Sequence, residues 1–138
     1  MTDSDRAPLA TKVLILAGVL GFLAVALGAF GAHGLKTGLL KDLPDLAQRL
    51  AWWETGVEYH MWHSLLLVGI GALALKVESG ALKVAAVLVV AGVLLFSGSL
   101  YVMTLTGIRW LGAITPFGGT AFLAAWIALG IAARKARA

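Results

Sequence analysis

Apolar residues fall in four long blocks separated by short polar stretches. The first runs from Val13 to Ala32, after Lys12. The second runs from Tyr59 to Leu75, between Glu58 and Lys76. The third runs from Val84 to about Thr106, before Arg109, and the fourth from near Pro116 to Ala133, before Arg134. None contains a charged side chain. Each is roughly 17–23 residues long, enough at ~1.5 Å per residue to cross ~30 Å of hydrocarbon. Nothing alternates with period two, and lipid satisfies no backbone polar group, so the blocks predict helices rather than strands. The expectation is an all-α integral membrane four-helix bundle. It forms a single membrane domain over 1–138, with spans at about 13–33, 57–75, 84–106 and 116–133.

The polar connection before the second block has its own periodicity. In LAQRLAWWETGVEYH, Leu46, Leu50, Trp53 and Val57 share a helical face from which Gln48, Arg49 and Glu54 are absent. This predicts a short interfacial helix at about 45–56, with Pro44 at its start, leading into the second span. Trp52, Trp53, Trp62 and Trp110 then form a one-sided aromatic belt at headgroup level.

Composition narrows the class. Of 138 residues, 60% are apolar and 13% charged, with mean hydropathy +0.92. A soluble domain carries about a quarter charged residues. Four spans leave no room for a separate soluble domain. The absence of cysteine excludes disulfides, thiolate metal sites and cysteine nucleophiles. The net charge of +4 and pI near 9.8 come from residues flanking apolar blocks. They read as orientation signals and headgroup contacts, with no nucleic-acid partner. The first block is too long for a secretory h-region of about 7–15 residues, so it is read as a retained span. Arg6, Lys12, Lys76, Lys83, Arg134, Lys135 and Arg137 fall on one side of a four-span chain. Lys36, Lys41, Arg49 and Arg109 fall on the other. The positive-inside tendency places both termini in the cytoplasm.

Small residues mark the helix contacts. Ala17, Gly21, Ala24, Gly28 and Gly31 form a seam on the first span. Gly118, Ala121, Ala125, Ala128 and Ala132 form one on the fourth. Such seams let backbones approach where lipid provides no hydrophobic drive to associate. They face other helices of the same chain, a second copy or a membrane-protein partner.

Polar residues meet at one predicted depth, the outer ends of all four spans: His33; Glu58, Tyr59, His60 and His63; Ser97, Ser99 and Tyr101; Thr115 with Pro116, Gly118 and Gly119. Thr115 suits an N-cap and Gly34 a C-terminal cap of the first helix. Intramembrane ionisable groups are functional candidates. His33, Glu58, His60 and His63 offer nitrogen and oxygen ligands of the kind zinc takes. His63 with Glu58 offers a proton relay. Structural hydrogen bonding is the plainer role for each. No GxSxG, P-loop or paired intramembrane carboxylate is present, so no cofactor is expected. GAFGAHG at 28–34 has no strand before it, which rules out a dinucleotide loop.

Four ordered motifs carry a family resemblance: LGAFGAHGL at 27–35, EYHMWH at 58–63, LFSGSLY at 95–101 and TPFGG at 115–119. Over about residues 10–133 the chain resembles the YgdD-like family of small bacterial inner-membrane proteins, a domain-of-unknown-function family related to a TMEM-type eukaryotic protein. The resemblance implies four spans and no established biochemical activity. By position it carries over Gly28, Gly31, His33, Glu58, Tyr59, His63, Ser97, Gly98, Ser99, Tyr101, Pro116, Gly118 and Gly119. Where the family pattern has Gln, this chain has His60, which reduces the implied metal set to His33, Glu58 and His63. The expected function is a non-enzymatic structural, lipid-contacting or accessory component of the bacterial inner membrane. Its rivals are an oligomeric transporter or channel protomer and a metal or proton-relay site.

Overall fold

A computed structural model describes residues 3–135, with side chains from Pro8 onward. Arg137, one of the orientation charges, lies outside the described residues, as does the Arg6 side chain. The described chain is helical, and no strand occurs in it. Helix α1 (Asp3–Phe30) continues as a π-helical segment, Gly31–Leu39. Helix α2 spans Leu46–Ala74. Helix α3 (Gly80–Gly92) passes through a π-helical turn, Val93–Ser97, into α4 (Gly98–Thr106). A 3₁₀ turn, Arg109–Ala113, leads into α5 (Thr115–Lys135). Three of these rods are long and apolar enough to cross a membrane: Pro8–Leu39, Gly80–Thr106 and Arg109–Lys135. α2 does not join them, because Glu58, His60 and His63 sit within its length.

Two expectations change here. Residues 46–56 are the first three turns of the single 29-residue helix α2, with no break before the second apolar block. The hydrophobic face seen in the sequence packs onto the chain itself: Leu46, Leu50, Trp53 and Val57 belong to a small core with Leu35 and Leu40. Gly34 does not end the first helix. It lies inside the π segment, and the only positive φ among the described residues belongs to Gly107, at 75°. Gly107 terminates α4 in the left-handed conformation that glycine adopts without strain.

The small-residue seam of α1 lies against α2. A Cβ added at Gly21 would sit 4.0 Å from Ser64, and one at Gly28 would sit 3.4 Å from Val57. One at Gly31 would strike the Trp53 indole, and one at Gly71 would strike Leu14. Partner numbers fall as the α1 numbers rise, so the two helices run antiparallel. The α5 seam does the same against α3 and the π turn: Gly118, Ala125, Ala128 and Ala132 are buried, with Gly118 on the Phe96 backbone. Both seams therefore serve contacts within the chain.

The main core gathers Val13 and Ala17 of α1, Leu67 and Ile70 of α2, Leu82 and Val89 of α3, and Phe122 and Ala125 of α5. Outside it, large apolar side chains stand exposed, Phe22 at 72% and Leu123 at 68% among them. A soluble monomer rarely carries apolar patches this extensive; here they match a hydrocarbon surrounding. Leu9, Glu78, Ser79 and Lys135 line one recess, so the start of α1, the α2–α3 turn and the end of α5 share one end of the molecule. Residues 31–60 and 97–120 build the opposite end.

Candidate functional site

The opposite end is organised by side chains that join helices in pairs. Trp53, predicted as a headgroup anchor, is buried. Its indole Nε1–H donates to the Leu27 carbonyl of α1 at 2.8 Å. Its ring lies between Phe30 (5.8 Å) and Tyr101 (4.7 Å). The rest of the proposed belt divides: Trp62 and Trp110 are exposed, while Trp52 lies 5.8 Å from the Arg109 guanidinium carbon. Arg49 clasps α2 to the end of α4. Its Nε–H donates to Asp45 (2.9 Å) and its Nη1–H donates to the Thr104 carbonyl (3.0 Å), while the Thr104 hydroxyl shares its one proton between the Leu100 carbonyl of its own helix (2.8 Å) and the Arg49 carbonyl (3.1 Å). The guanidinium covers Gly107, leaving no space for a Cβ there.

The polar residues that sequence depth brings together are separated in azimuth. His33 is exposed on the π segment, and its carbonyl accepts from Thr37 at 2.6 Å. Glu58 is also exposed, beside a shallow recess lined by Gly28, Gly31 and Glu54. His60 is buried. Its Nδ1 lies 3.1 Å from the Tyr101 hydroxyl and its ring lies against the Leu20 backbone, while its Nε2 has no partner of hydrogen-bond geometry among the described residues. Ser97 is fully buried, its hydroxyl likewise without such a partner. Ser99 donates to the Phe96 carbonyl (2.9 Å), so at 2.8 Å it accepts from Thr115, tying α4 to the start of α5.

His63 faces a different neighbour from His60. Its Nδ1 is 2.7 Å from the Tyr59 carbonyl, which only accepts, so Nδ1 carries the proton. Its Nε2 then accepts from the Trp126 indole N–H at 3.4 Å. The two bonds together require the neutral imidazole. Phe122 stacks on the ring, with centroids 3.5 Å apart at 14°. With His33 and Glu58 facing outward and His60 and His63 committed to separate contacts, the four candidate ligands do not surround one point. No group of three or more His, Asp or Glu among the described residues is arranged to hold a metal ion.

What does assemble is an aromatic groove between α2 and α5. Tyr59, Trp62 and His63 form one wall, Phe122 and Trp126 the other, and Phe96 the floor. Pro116 and Thr120 stand at its mouth, and its volume is about 630 Å³. That lies within the ~300–1,000 Å³ of small-molecule sites. Sequence reasoning missed Phe122 and Trp126, because an aromatic residue in an apolar span reads as lipid-facing. Their i,i+4 spacing opposite Tyr59 and His63, also i,i+4, is the signal that was available.

These features describe a small all-helical membrane protein with three helices of spanning length and an open aromatic groove. Comparison with known proteins is specific. A family described as "Protein of unknown function (DUF423)" matches residues 27–119. The UPF0382 membrane protein YwdK of Bacillus subtilis (strain 168) is 48% identical over 126 residues, covering 90% of this chain and 98% of its own length. The UPF0382 inner membrane protein YgdD of Escherichia coli (strain K12) is 40% identical over 114 residues, covering 83% of this chain and 82% of its own. No solved structure matches. The chain belongs to the DUF423 family, and the resemblance to YgdD-like proteins holds along most of its length.

Proposed function

We propose that this is a four-span inner-membrane protein with cytoplasmic termini and a non-enzymatic, lipid-contacting role. In this reading the α2–α5 groove takes one acyl chain of an outer-leaflet lipid. The observation that carries it is the groove itself: an open, aromatic-walled volume in which His63 and Trp126 already satisfy each other. An apolar chain covering that pair leaves neither His63 nor Trp126 with an unpaired group. From Pro116 to Trp126 the groove follows α5 for ~15 Å, about half a hydrocarbon core. Four spans are supported by α2, which lies along α1 from Trp53 to Gly71 and so has to share its crossing. The accessory role rests on the remaining exposed apolar faces, which suit a membrane-protein partner or a second copy.

A lipid carrying a photoactivatable diazirine on its acyl chain tests the groove. Labelling of the protein in bilayers is expected to concentrate on residues 59–63 and 119–126, and to drop when Gly119→Trp fills the groove. Even labelling around all lipid-facing helices, unchanged by Gly119→Trp, would reject the reading.

A further inference from the structure

A second groove, sharing no lining residue with the first, runs between α1 and α3. Its volume is about 440 Å³, and its walls are apolar: Val13 and Leu16 on α1, Val87 and Val90 on α3, and Leu94 in the π turn that follows α3. At one end two lysines from different helices, Lys12 and Lys83, complete the lining. We propose that this groove binds an anionic phospholipid, with one acyl chain between the helices and the phosphate between the two ammonium groups.

Three observations fit that occupant. The groove follows α3 and the start of the π turn from Lys83 to Leu94, ~16 Å, which is the depth of one leaflet measured from a headgroup. No carboxylate is among the described residues that line it. The neighbouring recess, which Lys83 also borders, contributes Glu78 and Lys135, so the charge at this end stays positive. A zwitterionic lipid satisfies the apolar walls but leaves two lysines without a matching net charge. An anionic one satisfies both, and the attraction of basic residues to acidic lipid is strongest within a Debye length of the headgroups. The site does not depend on the α2–α5 groove. Orientation decides only which leaflet supplies the lipid, and cytoplasmic termini make it the inner one.

Native mass spectrometry of the detergent-purified chain, titrated with phosphatidylglycerol or with phosphatidylcholine of the same acyl chains, tests the proposal. The chain is expected to retain one phosphatidylglycerol in preference to phosphatidylcholine. The double variant Lys12→Gln/Lys83→Gln should weaken retention about tenfold or more, whereas Lys76→Gln, a nearby lysine outside the groove, should not. Val87→Trp fills the groove from an exposed position and leaves both lysines in place, and it should displace the lipid as well. If the double variant does not fold, Lys83→Gln alone and Val87→Trp decide. Equal retention of the two lipids overturns the proposal. So does retention that survives the lysine variants or survives Val87→Trp.

Discussion

Gly118→Ala is expected to destabilise the protein by about 3 kcal/mol or more, with a large fall in its melting temperature in detergent. The cause is backbone contact. A Cβ at this position would meet the backbone nitrogen and Cα of Phe96, where α5 crosses the π turn Val93–Ser97. A side chain in the way can rotate aside; a helix backbone yields only by moving the whole rod. The displacement would also pull Thr115 from Ser99 and open the floor of the α2–α5 groove. Gly18→Ala and Gly130→Ala are the matched controls, since an added Cβ there meets nothing within 4 Å. Each should be neutral or stabilising by about 0.5–1 kcal/mol, because alanine suits a helix better than glycine. Thermal unfolding of the three variants side by side checks this. Equal melting temperatures would show that α5 does not approach the π turn as described.

Trp53→Ala is expected to cost about 3–5 kcal/mol, the range for removing a buried tryptophan. The indole fills the space over Gly31, contacts Phe30 and Tyr101, and donates to the Leu27 carbonyl. Trp53→Phe keeps most of the packing and loses the donor, so its cost should be nearer 1–2 kcal/mol. Trp110→Ala provides the contrast: that ring is 68% exposed and belongs to neither core. It should change stability by less than about 0.5 kcal/mol. A Trp53→Ala variant as stable as Trp110→Ala would return Trp53 to the role of headgroup anchor.

Much of the helical plan was legible in the residues. The charge-free blocks locate the apolar rods, and the glycine and alanine spacing on α1 and α5 picks out the faces that meet α2 and α3. Both readings rest on periodicity, which a single sequence displays. The site was less legible because spacing gives depth along a helix but not which neighbour occupies that depth. His33, Glu58, His60 and His63 lie close in predicted depth yet face in different directions. Trp53 could not be told from Trp62 or Trp110, since the Leu27 carbonyl that receives its N–H is 26 residues away in the chain. Arg49 read as one more outer charge for a related reason: its carbonyl partner, Thr104, belongs to the other end of the sequence. The continuation of the first helix through Gly34 also escaped, because glycine marks a helix end and a close helix contact equally well.

The four-span architecture turns on α2, the rod with the weakest claim to span and the one that supplies a wall of the aromatic groove. The chain contains no cysteine, so single cysteines report its topology without background. Glu54→Cys lies in the first half of α2 and Lys76→Cys just beyond its other end. In intact cells a membrane-impermeant maleimide should label Glu54→Cys, and should reach Lys76→Cys only after the membrane is opened. Labelling of both positions from the same side would mean that α2 does not cross, and would contradict the four-span architecture on which the outer-leaflet groove depends.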